Sequence, residues 1–143
     1  MTDTTSLEQF INIETDPVIH QIERDAVLKF CSAINLSFDK SAFRLSNTAK
    51  PAQPIVPPTF FRSLEASPLP FDFPGTRLLD AGSQWQYFYD TNIEDLISVT
   101  QALQSIQQKE GRLGLMTFLT IQIKYINQHK QIVATQTSTL ISY

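Results

Sequence analysis

The chain has 143 residues, 42% hydrophobic and 17% charged, with a formal net charge of −3. That length fits one domain able to bury a core without disulfide or metal staples. The acidic balance and the absence of a basic face argue against nucleic acid, and the short apolar runs are far from a membrane span.

Met1 to Gln9 is polar and acidic, without the basic start and apolar core of a signal peptide. Residues 1–17 read as a loosely held N-terminal arm, with Leu7, Phe10, Ile11 and Ile13 available for docking, closed by the Asp16-Pro17 break. Residues 18–143 read as a single domain. Val18 to Ile22 fits a short strand. Glu23 to Ile34 is an amphipathic helix with acidic residues near its start, where the helix dipole favours them. Its apolar face carries Val27, Phe30, Cys31 and Ile34. Cys31 is the only cysteine, so no internal disulfide forms, which fits a reducing cytoplasm. A nucleophile is one reading of it; its place on that apolar face favours the core.

Asn35 to Pro58 lacks sustained periodicity and reads as a long loop, with a helical turn around Lys40–Arg44. Thr59 to Ala66 fits a short helix, begun by Pro57-Pro58 where a missing N–H costs nothing. Residues 67–75 hold three prolines and a final glycine and cannot be regular. Four long alternating segments follow, Arg77–Phe88, Leu96–Gln107, Leu115–Asn127 and Ile132–Tyr143. In the third, Leu115, Thr117, Leu119, Ile121, Ile123 and Tyr125 share one face, the period of a half-buried antiparallel strand. Tight connections at Asp90–Asp95, Lys109–Gly114 and Asn127–Gln131 predict a meander. The expected class is α+β, with early helices on one face of a later sheet.

Four stretches, in order, carry a family resemblance. Val27 to Ile34 is similar to a first helix, and Ile55-Val56-Pro57-Pro58-Thr59-Phe60 to the apolar Ala-Pro-Pro-Thr-Phe segment that leads into a central helix. Ala81-Gly82-Ser83-Gln84-Trp85-Gln86-Tyr87-Phe88 resembles a Gly-Gly-x-Glu-x-Glu-Phe strand, with Ile93-Glu94-Asp95 at the place of a Gly-Asp turn. Lys109-Glu110-Gly111-Arg112-x-Gly114, Tyr125-x-Asn127-Gln128 and Val133-Ala134-Thr135 resemble a closing hairpin. Together they resemble the N-terminal, non-catalytic-subunit type of MaoC-like hydratase/dehydratase. The resemblance implies a hot-dog fold, a long antiparallel sheet wrapped around a central helix.

It also implies interconversion of a (3R)-3-hydroxyacyl thioester and its trans-2-enoyl partner. Such chemistry needs an acid, a base and donors for the developing enolate oxygen. The family places an Asp and a His just after the first helix; here that stretch reads Ile34-Asn35-Leu36-Ser37-Phe38-Asp39-Lys40, with no histidine. Asn35 and Asp39 are the weak catalytic candidates. An asparagine cannot exchange a proton at neutral pH, and capping of the following turn suits Asp39. His20, in the strand before the helix, and His129, in a turn, read as structural or exposed.

Pro58, Thr59, Phe60, Gln84 and Trp85 are the candidate substrate-binding residues, with helical N–H groups near Thr59 facing a carbonyl oxygen. Phe60 and Trp85 suit packing equally well. No cofactor or metal is expected; the ligand class is an acyl-CoA or acyl carrier protein thioester. Three functions follow: a thioester-binding subunit whose dyad comes from a second hot-dog chain, a silent scaffolding homodimer, or a self-sufficient dehydratase. All three predict a dimer, because a long sheet in a short chain leaves an edge to cover.

Overall fold

The computed structural model describes residues 4–36 and 55–143. Asp39 and the helical turn expected at Lys40–Arg44 lie outside the described residues. Helix α1 (Thr5–Glu8) opens the chain, followed by strand β1 (Val18–Gln21) and helix α2 (Arg24–Ala33). A 3-10 helix (Pro58–Ser63) precedes four strands: β2 (Leu78–Tyr87), β3 (Leu96–Gly111), β4 (Gly114–Ile126) and β5 (Ile132–Ser142). All five strands pair antiparallel in one sheet, in the order β1-β3-β4-β5-β2.

Strand periodicity decides what each face carries. Thr117, Leu119, Ile121 and Tyr125 of β4 are buried on the inner face, while Met116, Phe118, Thr120, Gln122 and Lys124 lie on the other, as the alternation predicts. The inner face holds two cores. At one end, Val27 and Cys31 of α2 and Phe60 and Phe61 of the 3-10 helix pack on Ile97, Val99, Tyr125 and Val133. At the other, Leu103, Leu119 and Ile121 are covered by Leu7, Phe10, Leu69 and Phe71. The helices therefore sit on one face of a long sheet, the arrangement expected.

Three expectations need correction. The arm is docked rather than loose. Leu7 is buried, Phe10 packs on Phe71 with ring centroids 5.5 Å apart, and Ile11 bridges Leu103. The backbone N–H groups of Asn12 and Thr15 donate to the carbonyls of Leu103 and Gln101, at 2.8 and 2.9 Å. The arm thus extends the cover of the β3 edge beyond the reach of β1. Ile13 alone of the four apolar arm residues stays largely exposed.

Second, only β3, β4 and β5 form a meander. β2 pairs with β5, from Leu78 opposite Ser142 to Tyr87 opposite Ala134. The Asp90–Asp95 segment is therefore a crossover between strands that are not neighbours, although it does contain a tight turn. Asn92 N–H donates to the Asp95 carboxylate at 2.8 Å, and Glu94 takes a left-handed φ of 72°. Alternation and turn chemistry report that a strand exists, and neither reports which neighbour it takes.

Third, the segment after Pro57-Pro58 is a six-residue 3-10 helix and does not run to Ala66. Phe60 N–H donates to the Pro57 carbonyl at 3.0 Å, Leu64 N–H to that of Phe61 at 3.0 Å, and Ser63 Oγ to that of Phe60 at 2.7 Å. Leu64 is already extended, and Ser67-Pro68-Leu69-Pro70 cannot resume a helix. So short a helix sums few peptide dipoles, and the backbone field expected at Thr59 is correspondingly weak.

The C-terminal end of β5 is locked by one glycine. Gly75 has φ +108°, and a Cβ there would lie 2.9 Å from the Tyr143 carbonyl oxygen, which also accepts from the N–H groups of Thr76 and Arg77. Gly82, at the β2 register shift, has φ +116° but open space around it. Gly75→Ala is therefore expected to cost more than Gly82→Ala, by about 1 kcal/mol or more, since only the first adds a backbone collision to the φ penalty. Comparison of the two urea-unfolding midpoints checks this ordering.

Candidate functional site

Strand β2 supplies the site's main wall. Ser83, Trp85 and Tyr87 stand opposite Ser138, Gln136 and Ala134 of β5, on the inner face. Trp85 stacks on Tyr87, with centroids 5.9 Å apart and planes at 8°, and on Tyr125 of β4 at 5.6 Å and 24°. Phe61 closes on the same tyrosine edge-on at 5.1 Å. Aromatic residues at i and i+2 on one strand face, met by a third from β4, build a rigid apolar slab.

An apolar cavity of about 630 Å³ opens between this slab, α2 and the 3-10 helix, lined by Phe30, Ile34, Thr59, Arg62, Trp85 and Tyr87. Phe30 is held from behind by Phe60, edge-on at 5.5 Å. Among the described residues, no Asp, Glu or His lines this cavity. A second cavity, about 390 Å³ and more polar, lies further along the inner face at the seam between the two cores. Its lining includes Arg62, Asp80, Gln101, Tyr125, Gln136 and Ser138. Arg62 lines both cavities and stands 4.0 Å from the Asp80 carboxylate, with both side chains well exposed.

The structure separates the five candidate binding residues. Thr59 and Trp85 meet in the apolar cavity. Phe60 is buried in the core behind Phe30. Pro58 starts the 3-10 helix, half-buried and outside the cavity lining. Gln84 is exposed, opposite Thr137, and alternation turns it to the sheet face away from Trp85. Of the weak catalytic candidates, Asn35 is an exposed residue just past α2 with a left-handed φ of 55°.

The other titratable candidates are spoken for. Cys31 is buried in the α2 core, and burial pushes its thiol pKa up, away from thiolate chemistry. His20 Nε2 lies 2.7 Å from the Glu65 carbonyl oxygen and ties β1 to the segment after the 3-10 helix. His129 sits exposed in the β4–β5 turn. Arg62, Tyr87, Phe30 and Ile34 are lining residues that sequence reasoning missed as such. The available signal was the Trp85-x-Tyr87 spacing, which places two aromatic rings on one strand face.

The model of one protein family, the FAS1-like dehydratase domain region, matches residues 9–136 of this chain. No curated protein matches the chain by sequence. Among solved structures, a chain of the ChsH1-ChsH2 complex from Mycobacterium tuberculosis is similar, with a TM-score of 0.73 and 12% identity over 96% of this chain and 94% of that one. The MaoC-like dehydratase from Rhodospirillum rubrum gives a TM-score of 0.62 and 19% identity over 96% and 95%. The C-terminally truncated HadBC (3R-hydroxyacyl-ACP dehydratase) complex, also from Mycobacterium tuberculosis, gives 0.62 and 12% over 93% and 97%.

Proposed function

Because the chain belongs to the FAS1-like dehydratase domain region family and has the hot-dog fold of MaoC-like dehydratases, we propose that it is the acyl-thioester-binding subunit of a (3R)-3-hydroxyacyl-thioester dehydratase or enoyl hydratase. The Asp–His dyad then comes from a second hot-dog chain. One observation carries this reading: the cavity walled by Phe30, Ile34, Trp85 and Tyr87 is apolar and sizeable, and among the described residues no Asp, Glu or His lines it.

Hydration of an enoyl thioester needs a base to take a proton from water and an acid to deliver one to the carbon next to the carbonyl. Phe30, Ile34, Trp85 and Tyr87 can desolvate an acyl chain, and Thr59 offers a hydroxyl at the rim. None of them exchanges a proton at neutral pH. In this reading the chain shapes and holds the substrate while the partner moves the protons. That two of the similar solved structures are complexes, ChsH1-ChsH2 and HadBC, supports a second subunit. Acyl-CoA and acyl carrier protein both present the thioester this site needs.

The test is hydration of crotonyl-CoA by the chain alone and then mixed with hot-dog hydratase chains that carry an Asp–His pair. The expected result is background alone and turnover only in a mixture, lost when the partner's histidine is replaced. Turnover by the isolated chain, abolished by Asp39→Asn, overturns the proposal in favour of a self-sufficient enzyme.

A further inference from the structure

The second cavity differs from the first in one respect that bears on the ligand. Its wall contains a buried, hydrogen-bonded polar chain on the inner face of the sheet. Tyr125 is 1% and Gln136 3% exposed. The Tyr125 hydroxyl donates to Gln136 Oε1 at 3.4 Å, and Gln136 Nε2 donates to Ser83 Oγ at 3.1 Å and to Ser138 Oγ at 3.0 Å.

The bonds made by the amide nitrogen are of ordinary length. The one made by the tyrosine is not, because an O–H···O bond is best near about 2.8 Å and weakens well before 3.4 Å. Burial also pushes the Tyr125 pKa up to about 12, so its proton is present throughout the neutral range. Trp85 and Phe61 clamp the ring on two sides, leaving little rotamer entropy to lose on binding. Tyr125, a fixed and buried residue whose bond to its acceptor is long, is therefore among those that line this cavity.

We propose that this cavity is a subsite for an uncharged oxygen function, a hydroxyl or keto group, carried on the acyl chain remote from the thioester. Tyr125 is its donor, and Gln136 and Ser138 set its orientation. The inference rests on the thioester-binding reading above and deepens it. Continuity comes from Arg62, which borders both cavities, and from Trp85, which faces the apolar one while stacking on Tyr125. A chain lying along the aromatic slab and past Arg62 brings its distal carbons to the tyrosine hydroxyl. A carboxylate is a poorer occupant, because Asp80 and Glu65 line the same cavity and oppose the charge of Arg62.

Trp85 is the only tryptophan, so its fluorescence reports occupancy of the wall directly. The full chain, with its hot-dog partner where one is required, is titrated with octanoyl-CoA, 7-oxooctanoyl-CoA, 8-hydroxyoctanoyl-CoA and the mono-CoA ester of octanedioic acid. The oxo or hydroxy ligand is expected to bind roughly three- to tenfold tighter than octanoyl-CoA, the effect of one neutral hydrogen bond, and the carboxylate no tighter. Tyr125→Phe keeps the stacked ring and is expected to bring that ratio to about one. Ser138→Ala gives an independent check at a less buried position and is expected to reduce the ratio. If octanoyl-CoA binds and the oxygenated ligands bind no better, the subsite is overturned and the thioester reading stands. If none of the four binds, both fall.

Discussion

Phe61→Ala is expected to lower the free energy of unfolding by about 3–5 kcal/mol, the range for removing a buried aromatic ring. Phe61 is almost fully buried and meets two tyrosines, Tyr125 at 5.1 Å and Tyr87 at 6.4 Å. It is held by a six-residue 3-10 helix that has few hydrogen bonds of its own. The truncation thus removes apolar burial, opens a void behind the slab and loosens the segment that frames both cavities. Phe61→Leu keeps most of the volume and is expected to cost less than half as much. Urea unfolding checks both, as a shift of midpoint at constant m-value. A loss below about 1 kcal/mol for the alanine variant would show that the 3-10 helix packs elsewhere.

Alkaline pH is the second large lever. Burial raises the Tyr125 pKa from 10.0 to about 12, the nearby Tyr87 adds to the rise, and the charge of Arg62 opposes it. Below pH 10 both folded and unfolded chains keep this proton, and the stability it contributes is complete. Between pH 10 and 12 the unfolded chain releases the proton first, so stability falls with rising pH. The loss reaches about 3 kcal/mol from this group. Burial also pushes Tyr87 upward, which steepens the same decline. Tyr125→Phe removes the largest contribution, so its stability is expected to change less from pH 9 to pH 12. Parallel pH–stability curves for the two proteins would contradict the assignment.

Much of the frame was legible in the chain itself. Apolar alternation in Leu115–Asn127 located β4 to within a residue at either end, and the spacing of Val27, Phe30 and Cys31 located α2. Both signals are local: a half-buried element must repeat at its own period. The strand order was not legible, because β2 and β5 meet across a sequence separation that no local pattern encodes. The end of the 3-10 helix is not legible in sequence, because the nearest helix-breaking prolines, Pro68 and Pro70, lie downstream of Leu64, where the chain already extends.

The site divides in the same way. Trp85 and Thr59 were visible as residue types near a suggestive motif, and they do meet. Gln84 looked equivalent in sequence, yet one step along a strand reverses a side chain. Gln136 was hidden for a further reason. The run Thr135 to Ser142 is polar on both faces up to Leu140, so alternation there cannot say which residues turn inward. Its burial follows only from pairing, opposite Ile123 on one side and Trp85 on the other.

The docking of the arm makes the two flanks of the sheet unequal. β1 and the residues around Ile11 screen the β3 side of the sheet in two short pieces, each a poor template for an incoming strand. The ten-residue β2 carries the opposite margin, interrupted by a register shift between Asp80 and Ser83. Among the described residues the β3 flank is blunted and no strand pairs with the outer side of β2, so an added strand would find a template on one flank alone. On that geometry, strand addition through β2 would end at a pair, because the blunted β3 flanks would leave it no second margin to extend.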